Sequence, residues 1–87
     1  MKDEIFGKDL RWRERILIFT WHFKKEFEMF RKPDEFILDI LDHGTHALVS
    51  KNRRKYNVLF PYKGRMLCLS YAAHEDAIIL IHIKPRR

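Results

Sequence analysis

The stretch from Lys55 to Pro85 constrains the fold most, because it reads as three consecutive strands separated by short polar breaks. Tyr62-Lys63-Gly64-Arg65 is a short loop containing glycine, and Ala73-His74-Glu75-Asp76 is a polar break of hairpin length. Two hairpins in succession make an antiparallel meander. The last run, Ala77 to Lys84, is the most apolar in the chain, and its Ile78, Ile79, Leu80, Ile81 and Ile83 suit a central strand buried on both faces. Alternation assigns Ile79, Ile81 and Ile83 to the core face, and Ile78, Leu80, His82 and Lys84 to the other. A titratable ring and an ammonium then emerge side by side at the strand end, just before Arg86 and Arg87. A hydrogen-bonded strand-end histidine beside a solvated lysine is the plainer reading of the same pattern.

A chain of 87 residues with 46% hydrophobic and 14% aromatic content can fill one small core, so a single ordered domain is expected. Its one cysteine, Cys68, excludes an internal disulfide and a cysteine-rich zinc site, and reads as a small buried hydrophobe in a reducing, cytoplasmic setting. Met1 to Glu4 is charged and no apolar signal region follows; no apolar run approaches membrane-spanning length, so a soluble protein without membrane contact is expected. The net charge of +6 and a pI near 9.7 fit nucleic acid or an acidic protein as partner, and fit equally an ordinary solubilising surface. The excess lies in the C-terminal half, at Lys51 to Lys55, Lys63 to Arg65 and Lys84 to Arg87.

Residues 1–14 read as an N-terminal extension, an added helix or a tail, to a core of residues 15–85. Arg15 to Phe19 offers a β-branched run that could be an edge strand. Alternatively Trp12, Ile16, Phe19, Phe23, Phe27 and Phe30 line one face of a long helix. In either case a helix is expected from Thr20, a suitable N-cap, to Lys32, with Phe23, Phe27 and Phe30 in the core. Pro33 ends that helix and opens the next, which carries Asp34 and Glu35 in its first turn and His43 in its last, and closes on Gly44 as a left-handed cap. A short strand between Thr45 and Ser50 precedes the basic loop. There is no internal repeat and no linker.

No metal or other cofactor is expected. His43 and His46 straddle Gly44 and cannot share a helix face, and no His-Glu-x-x-His pattern occurs. Ser70, His82 and Asp76 lack the context of a nucleophile elbow, and the glycines are isolated. What recurs at element ends is His22, His82, Tyr56, Tyr71, Arg65, Lys84 and Arg86. Such a set suits phosphodiester cleavage in RNA: cations stabilise the charge of the pentacoordinate transition state, and an imidazole, phenol or amine moves protons. His82, Arg65, His22 and Lys84 are the catalytic candidates. Arg53, Arg54, Lys55, Tyr56, Lys63, Tyr71 and Arg86 are the RNA-binding candidates, the rings by stacking on unpaired bases.

Ile18-Phe19-Thr20-Trp21-His22-Phe23, the helix ending Leu41-Asp42-His43-Gly44 and the closing Ile78 to Pro85 strand together resemble small bacterial and archaeal proteins of an uncharacterised family. That family opens on a Phe-Thr-x-His motif and is related to the BrnT and RelE/ParE-like toxins. The resemblance spans residues 16–85. It implies an α+β fold with two N-terminal helices packed on a twisted antiparallel sheet, and it favours a strand at Arg15 to Phe19. It further implies a metal-independent endoribonuclease, an mRNA interferase of a toxin-antitoxin system, acting on RNA including ribosome-bound mRNA and held by an acidic antitoxin. ParE-like members instead act on a protein, so a non-catalytic module for a protein partner is the alternative. His22 matches the motif histidine and Arg65 the basic residue of the penultimate strand, whereas His82 stands where the pattern has threonine or a similar residue.

Overall fold

The structure, a computed structural model, describes residues 5–86, with side chains from residue 10 onward. Met1 to Glu4, Arg87 and the side chains of Ile5 and Phe6 lie outside the described residues. The elements run β1 (Ile5–Trp12), β2 (Arg15–Thr20), α1 (Trp21–Glu28), α2 (Glu35–His43), β3 (Thr45–Ser50), β4 (Lys55–Tyr62), β5 (Arg65–Ala73) and β6 (Ala77–Arg86). One six-stranded sheet has the order β1-β2-β6-β5-β4-β3. Its neighbours are antiparallel except β2 and β6, which are parallel.

The fold therefore differs from two N-terminal helices on an antiparallel sheet. The sheet is mixed, and both helices follow an N-terminal β-hairpin. The physical reason is chain direction. After β2 the two helices carry the chain to the far edge, and the reversals from β3 to β6 return it beside β2 running the same way. Residues 5–12, which the pattern left as a helix or tail, supply the edge strand β1.

That hairpin turns through Arg13 and Glu14, at φ 53° and 67°, between the paired Trp12 and Arg15. Positive φ at both central residues is the type I′ geometry that matches strand twist and favours asparagine and glycine. Lys63 and Gly64 make the same turn at φ 51° and 74°. The first turn has no glycine, so the sequence hides it. The Arg13 guanidinium lies over the Trp12 ring, 4.5 Å from its centroid.

Thr20 caps α1 as expected, its hydroxyl accepting from the Phe23 N–H at 3.2 Å. Phe23 and Phe27 are buried, and the half-buried Phe30 packs against them. The helix stops at Glu28 rather than Lys32: Met29, Phe30 and Arg31 bond carbonyls three residues back, and Arg31 sits at φ 54°. Gly44 is extended, at φ −80° and ψ 170°, not left-handed. Glycine is needed there for closeness instead. A Cβ would overlap Val58 Cγ1 and sit 2.6 Å from the Ile40 carbonyl oxygen and 2.9 Å from that of Leu59.

β6 is a central strand, but its alternation is broken. Tyr71 pairs with Leu80 and Ser70 with His82, which leaves Ile81 as a bulge. The core face therefore takes Ile78, Leu80 and Ile83, not Ile79, Ile81 and Ile83; His82 and Lys84 remain on the opposite face. Cys68 is on that open face too, half-buried and opposite Lys84.

On the helical side a polar and aromatic cluster closes one end of the core. The Trp12 indole N–H donates to Asp42 Oδ1 at 2.8 Å, and its ring stacks on His46 with centroids 5.3 Å apart. His46 Nε2 lies 2.8 Å from the Leu41 carbonyl oxygen, which only accepts, so Nε2 carries the proton and Nδ1 accepts from the Tyr71 hydroxyl at 2.8 Å. Burial raises the Tyr71 pKa, the Tyr56 phenol adds to the rise, and Arg13 and Arg15 oppose it.

Two outcomes follow from this packing. Gly44→Ala should lower the urea midpoint by an amount equivalent to about 1–3 kcal/mol, the cost of forcing a methyl into a packed site. Stability held by the neutral Tyr71 phenol is complete below the unfolded value near 10.0 and is lost as pH rises through the higher folded value. Tyr71→Phe should thus cost about 1–3 kcal/mol at neutral pH by stripping a partner from His46. Its stability should also fall less steeply above pH 10.0 than that of the wild type, as urea unfolding across that range would reveal.

Candidate functional site

β2 pairs with β6 only as far as Phe19 and Leu80. At Thr20 the chain leaves the sheet, the Thr20 hydroxyl donating to the Leu80 carbonyl at 2.9 Å while it caps α1. Beyond that point, among the described residues, β6 has no strand on this side and lies against α1. Its Ile83 N–H is taken by a side chain, Glu26 Oε1, at 3.0 Å. A backbone donor at a strand edge demands such an acceptor, and meeting that demand fixes the carboxylate.

Three cationic or titratable groups surround it. His22, one turn back on α1, brings Nε2 to 3.3 Å from Glu26 Oε2; Lys84 Nζ is 3.6 Å from the same oxygen; His82 Nδ1 is 3.4 Å from Oε1. The rings of His22 and His82 meet edge to face with centroids 4.6 Å apart. Among the described residues His82 Nδ1 is covered from solvent and makes no hydrogen bond, though it lies 3.4 Å from Glu26 Oε1. The Glu26 side chain is 18% exposed, whereas those of His22 and Lys84 are 60% and 63% exposed, so the carboxylate is set inside a rim formed by a reachable imidazole and a reachable ammonium.

The open face of the sheet continues from this cluster as a groove of about 490 Å³ lined by Asn57, Ser70, His82, Lys84 and Arg86 among others. Ser70 stands opposite His82 in register and donates to Asn57 Oδ1 at 2.7 Å. Arg65 joins Lys84 and Arg86 around an adjoining hollow at the strand ends. The groove is therefore basic along one end and carries neutral hydrogen-bonding groups in its floor.

Of the residues singled out from the sequence, His22, His82, Lys84, Arg65 and Arg86 come together here, with Lys63 in the neighbouring turn. Arg53, Arg54, Lys55 and Tyr56 stand at the other end of the sheet, where the β3–β4 turn opens β4. Tyr71 is 4% exposed and is stacked on Tyr56 at 5.3 Å beneath Trp12, so it presents no free face to a base. Asp76 precedes β6 at that same far end, remote from Ser70 and His82. His43 and His46 are engaged by the Asp39 carbonyl and by Tyr71 and Leu41.

Glu26 is the residue that the pattern reading passed over. Its spacing of four from His22 on a helix was the available signal; its link to Ile83 was not visible in any local window. His22, Glu26 and His82 can each offer one ligand atom within 4.8 Å of the others, a donor set able to hold a metal ion. Among the described residues no helix is long and apolar enough to cross a membrane. Comparison of the chain with protein families, curated proteins and solved structures finds no match.

Replacement of Glu26 separates its two roles. Glu26→Ala should cost about 1–3 kcal/mol, because the Ile83 N–H loses its acceptor, and should speed hydrogen exchange at that amide. Glu26→Gln, which keeps a carbonyl oxygen, should recover most of the loss. Equal destabilisation by both would show that the charge, not the backbone contact, is what matters.

Proposed function

We propose that the chain binds single-stranded RNA along the open face of the sheet and cleaves it without a metal, with His22 and His82 as the proton-transfer pair. The observation that carries this is the meeting of two imidazoles, 4.6 Å apart, around one carboxylate and beside Lys84. In the reaction the ribose 2′-oxygen attacks phosphorus and the 5′-oxygen leaves, giving a 2′,3′-cyclic phosphate and a 5′-hydroxyl. One imidazole accepts the 2′-hydroxyl proton and the other delivers a proton to the departing oxygen. Lys84, with Arg65 and Arg86, bears the added negative charge of the pentacoordinate phosphorus. The net charge of +6 supports attraction of a polyanion. Arg53, Arg54 and Lys55 carry the positive charge to the far end of the sheet, and Lys63 stands beside the near end, whereas Tyr56, stacked on Tyr71 and packed against the core, does not face the track. The reading rests on this geometry and not on the toxin resemblance, whose expected architecture the mixed sheet overturns.

A second reading, a non-catalytic module for a protein partner such as an acidic antitoxin, is favoured by the edge strand β3, whose Leu48 and Val49 are 53% and 51% exposed. The two part on turnover. Pure protein incubated with a defined single-stranded RNA in excess EDTA should generate cyclic-phosphate ends, and His22→Ala or His82→Ala should each slow this by about 10²- to 10⁴-fold. An RNA left intact by the wild type, on ribosomes or off, decides for the binding module.

A further inference from the structure

The geometry points to a binding site for one divalent transition-metal ion, of the zinc class, formed by His22 Nε2, Glu26 Oε2 and His82 Nδ1. Two imidazoles and one carboxylate are a donor set that suits zinc and its neighbours and not magnesium or calcium, which favour all-oxygen shells. Ligand bonds of about 2.0–2.2 Å place two donors of a tetrahedral shell about 3.3 Å apart. Here His22 Nε2 and Glu26 Oε2 already stand 3.3 Å apart, and one ligand atom from each of His22, Glu26 and His82 falls within 4.8 Å of the other two.

A second observation is independent of that spacing. Among the described residues His82 Nδ1 is covered and has no hydrogen bond, its nearest acid being Glu26 Oε1 at 3.4 Å. A buried ring nitrogen left so is unusual, and a metal ion would complete it. Glu26 is held for the role by Ile83: with Oε1 bound to that N–H, Oε2 is the oxygen turned to His22, an arrangement in which an outer partner orients a metal-binding carboxylate. His22, on the exposed side of helix α1, is the side chain that swings to admit the ion. With three protein ligands the fourth position stays open to solvent or to a group in the groove.

Lys84 opposes the ion. Its ammonium stands 3.6 Å from Glu26 Oε2, where it competes with a cation for the same oxygen. Its exposed stem can turn away, so the site is weakened by Lys84 rather than blocked. The metal and the proton-transfer pair exclude each other, since coordination occupies a lone pair on each imidazole; occupancy would then inhibit RNA cleavage. That last consequence rests on the cleavage reading, whereas the binding itself does not.

The test is titration of the full chain with Zn²⁺ by calorimetry, with Co²⁺ absorption as a report on the ligand set. One equivalent should bind, and Mg²⁺ at the same concentration should not. His22→Ala, on an exposed position that does not endanger the fold, should weaken binding at least tenfold, as should His82→Ala. Lys84→Met should tighten it, which no merely structural role of Lys84 predicts, and His43→Ala should leave it unchanged. Absence of one-equivalent binding, or unaltered binding by His22→Ala, overturns the site. Cleavage in EDTA is scored separately: a protein that binds Zn²⁺ but never cuts RNA keeps the site and loses the nuclease, and one that cuts RNA in EDTA but ignores Zn²⁺ does the reverse.

Discussion

The structure depends on how β6 satisfies its backbone after β2 ends. A central strand of ten residues has a parallel neighbour for only its first part, and beyond Leu80 its polar groups on that side would be left to water or to nothing. Thr20 and Glu26 resolve this in sequence. The first hydroxyl bonds the Leu80 carbonyl while starting a helix, and the carboxylate two turns' reach further on takes the Ile83 N–H. A helix thus stands in for a strand, and its acidic side chain is drawn to the one place where His82 and Lys84 also emerge. The candidate site is a by-product of closing the sheet.

The opposite end is organised by a different economy. Trp12, His46, Tyr71 and Tyr56 join β1, β3, β5 and β4 through stacked and edge-on rings, and the polar tips of Trp12, His46 and Tyr71 each have a partner. Aromatic residues at element ends look alike in sequence whether they serve solvent or core. Here the hydroxyl of Tyr71 and both nitrogens of His46 are spent on the fold, which leaves the chemistry to the two histidines near Glu26.

Local signals made the meander, the Thr20 cap and the helix from Glu35 to His43 readable, because alternation and capping act within a few residues, whereas at Arg15 to Phe19 periodicity fitted a strand and a long helix equally. The mixed sheet was not readable. Its decisive contact, β2 beside β6, joins residues some sixty positions apart, and the N-terminal hairpin turns through Arg13-Glu14 without the glycine that usually marks it. The site was half legible. His22, His82, Lys84 and Arg65 carry functional groups that stand out by type, whereas Glu26 is one acid among twelve and gains its meaning only from Ile83.

The bulge at Ile81 gives the strand a length reserve. From Ile78 to Ile81 every side chain is aliphatic, so this part of β6 can present either set of alternate residues inward without burying a polar group. A residue lost from the turn at 74–76 could therefore be absorbed by closing the bulge, with Ile79 and Ile81 turning inward in place of Ile78 and Leu80. His82, Ile83 and Lys84 would keep their partners on β5 throughout. The groove is in this way insulated from drift in the loop that precedes it, and that loop is free to vary in length while the functional face stays in frame.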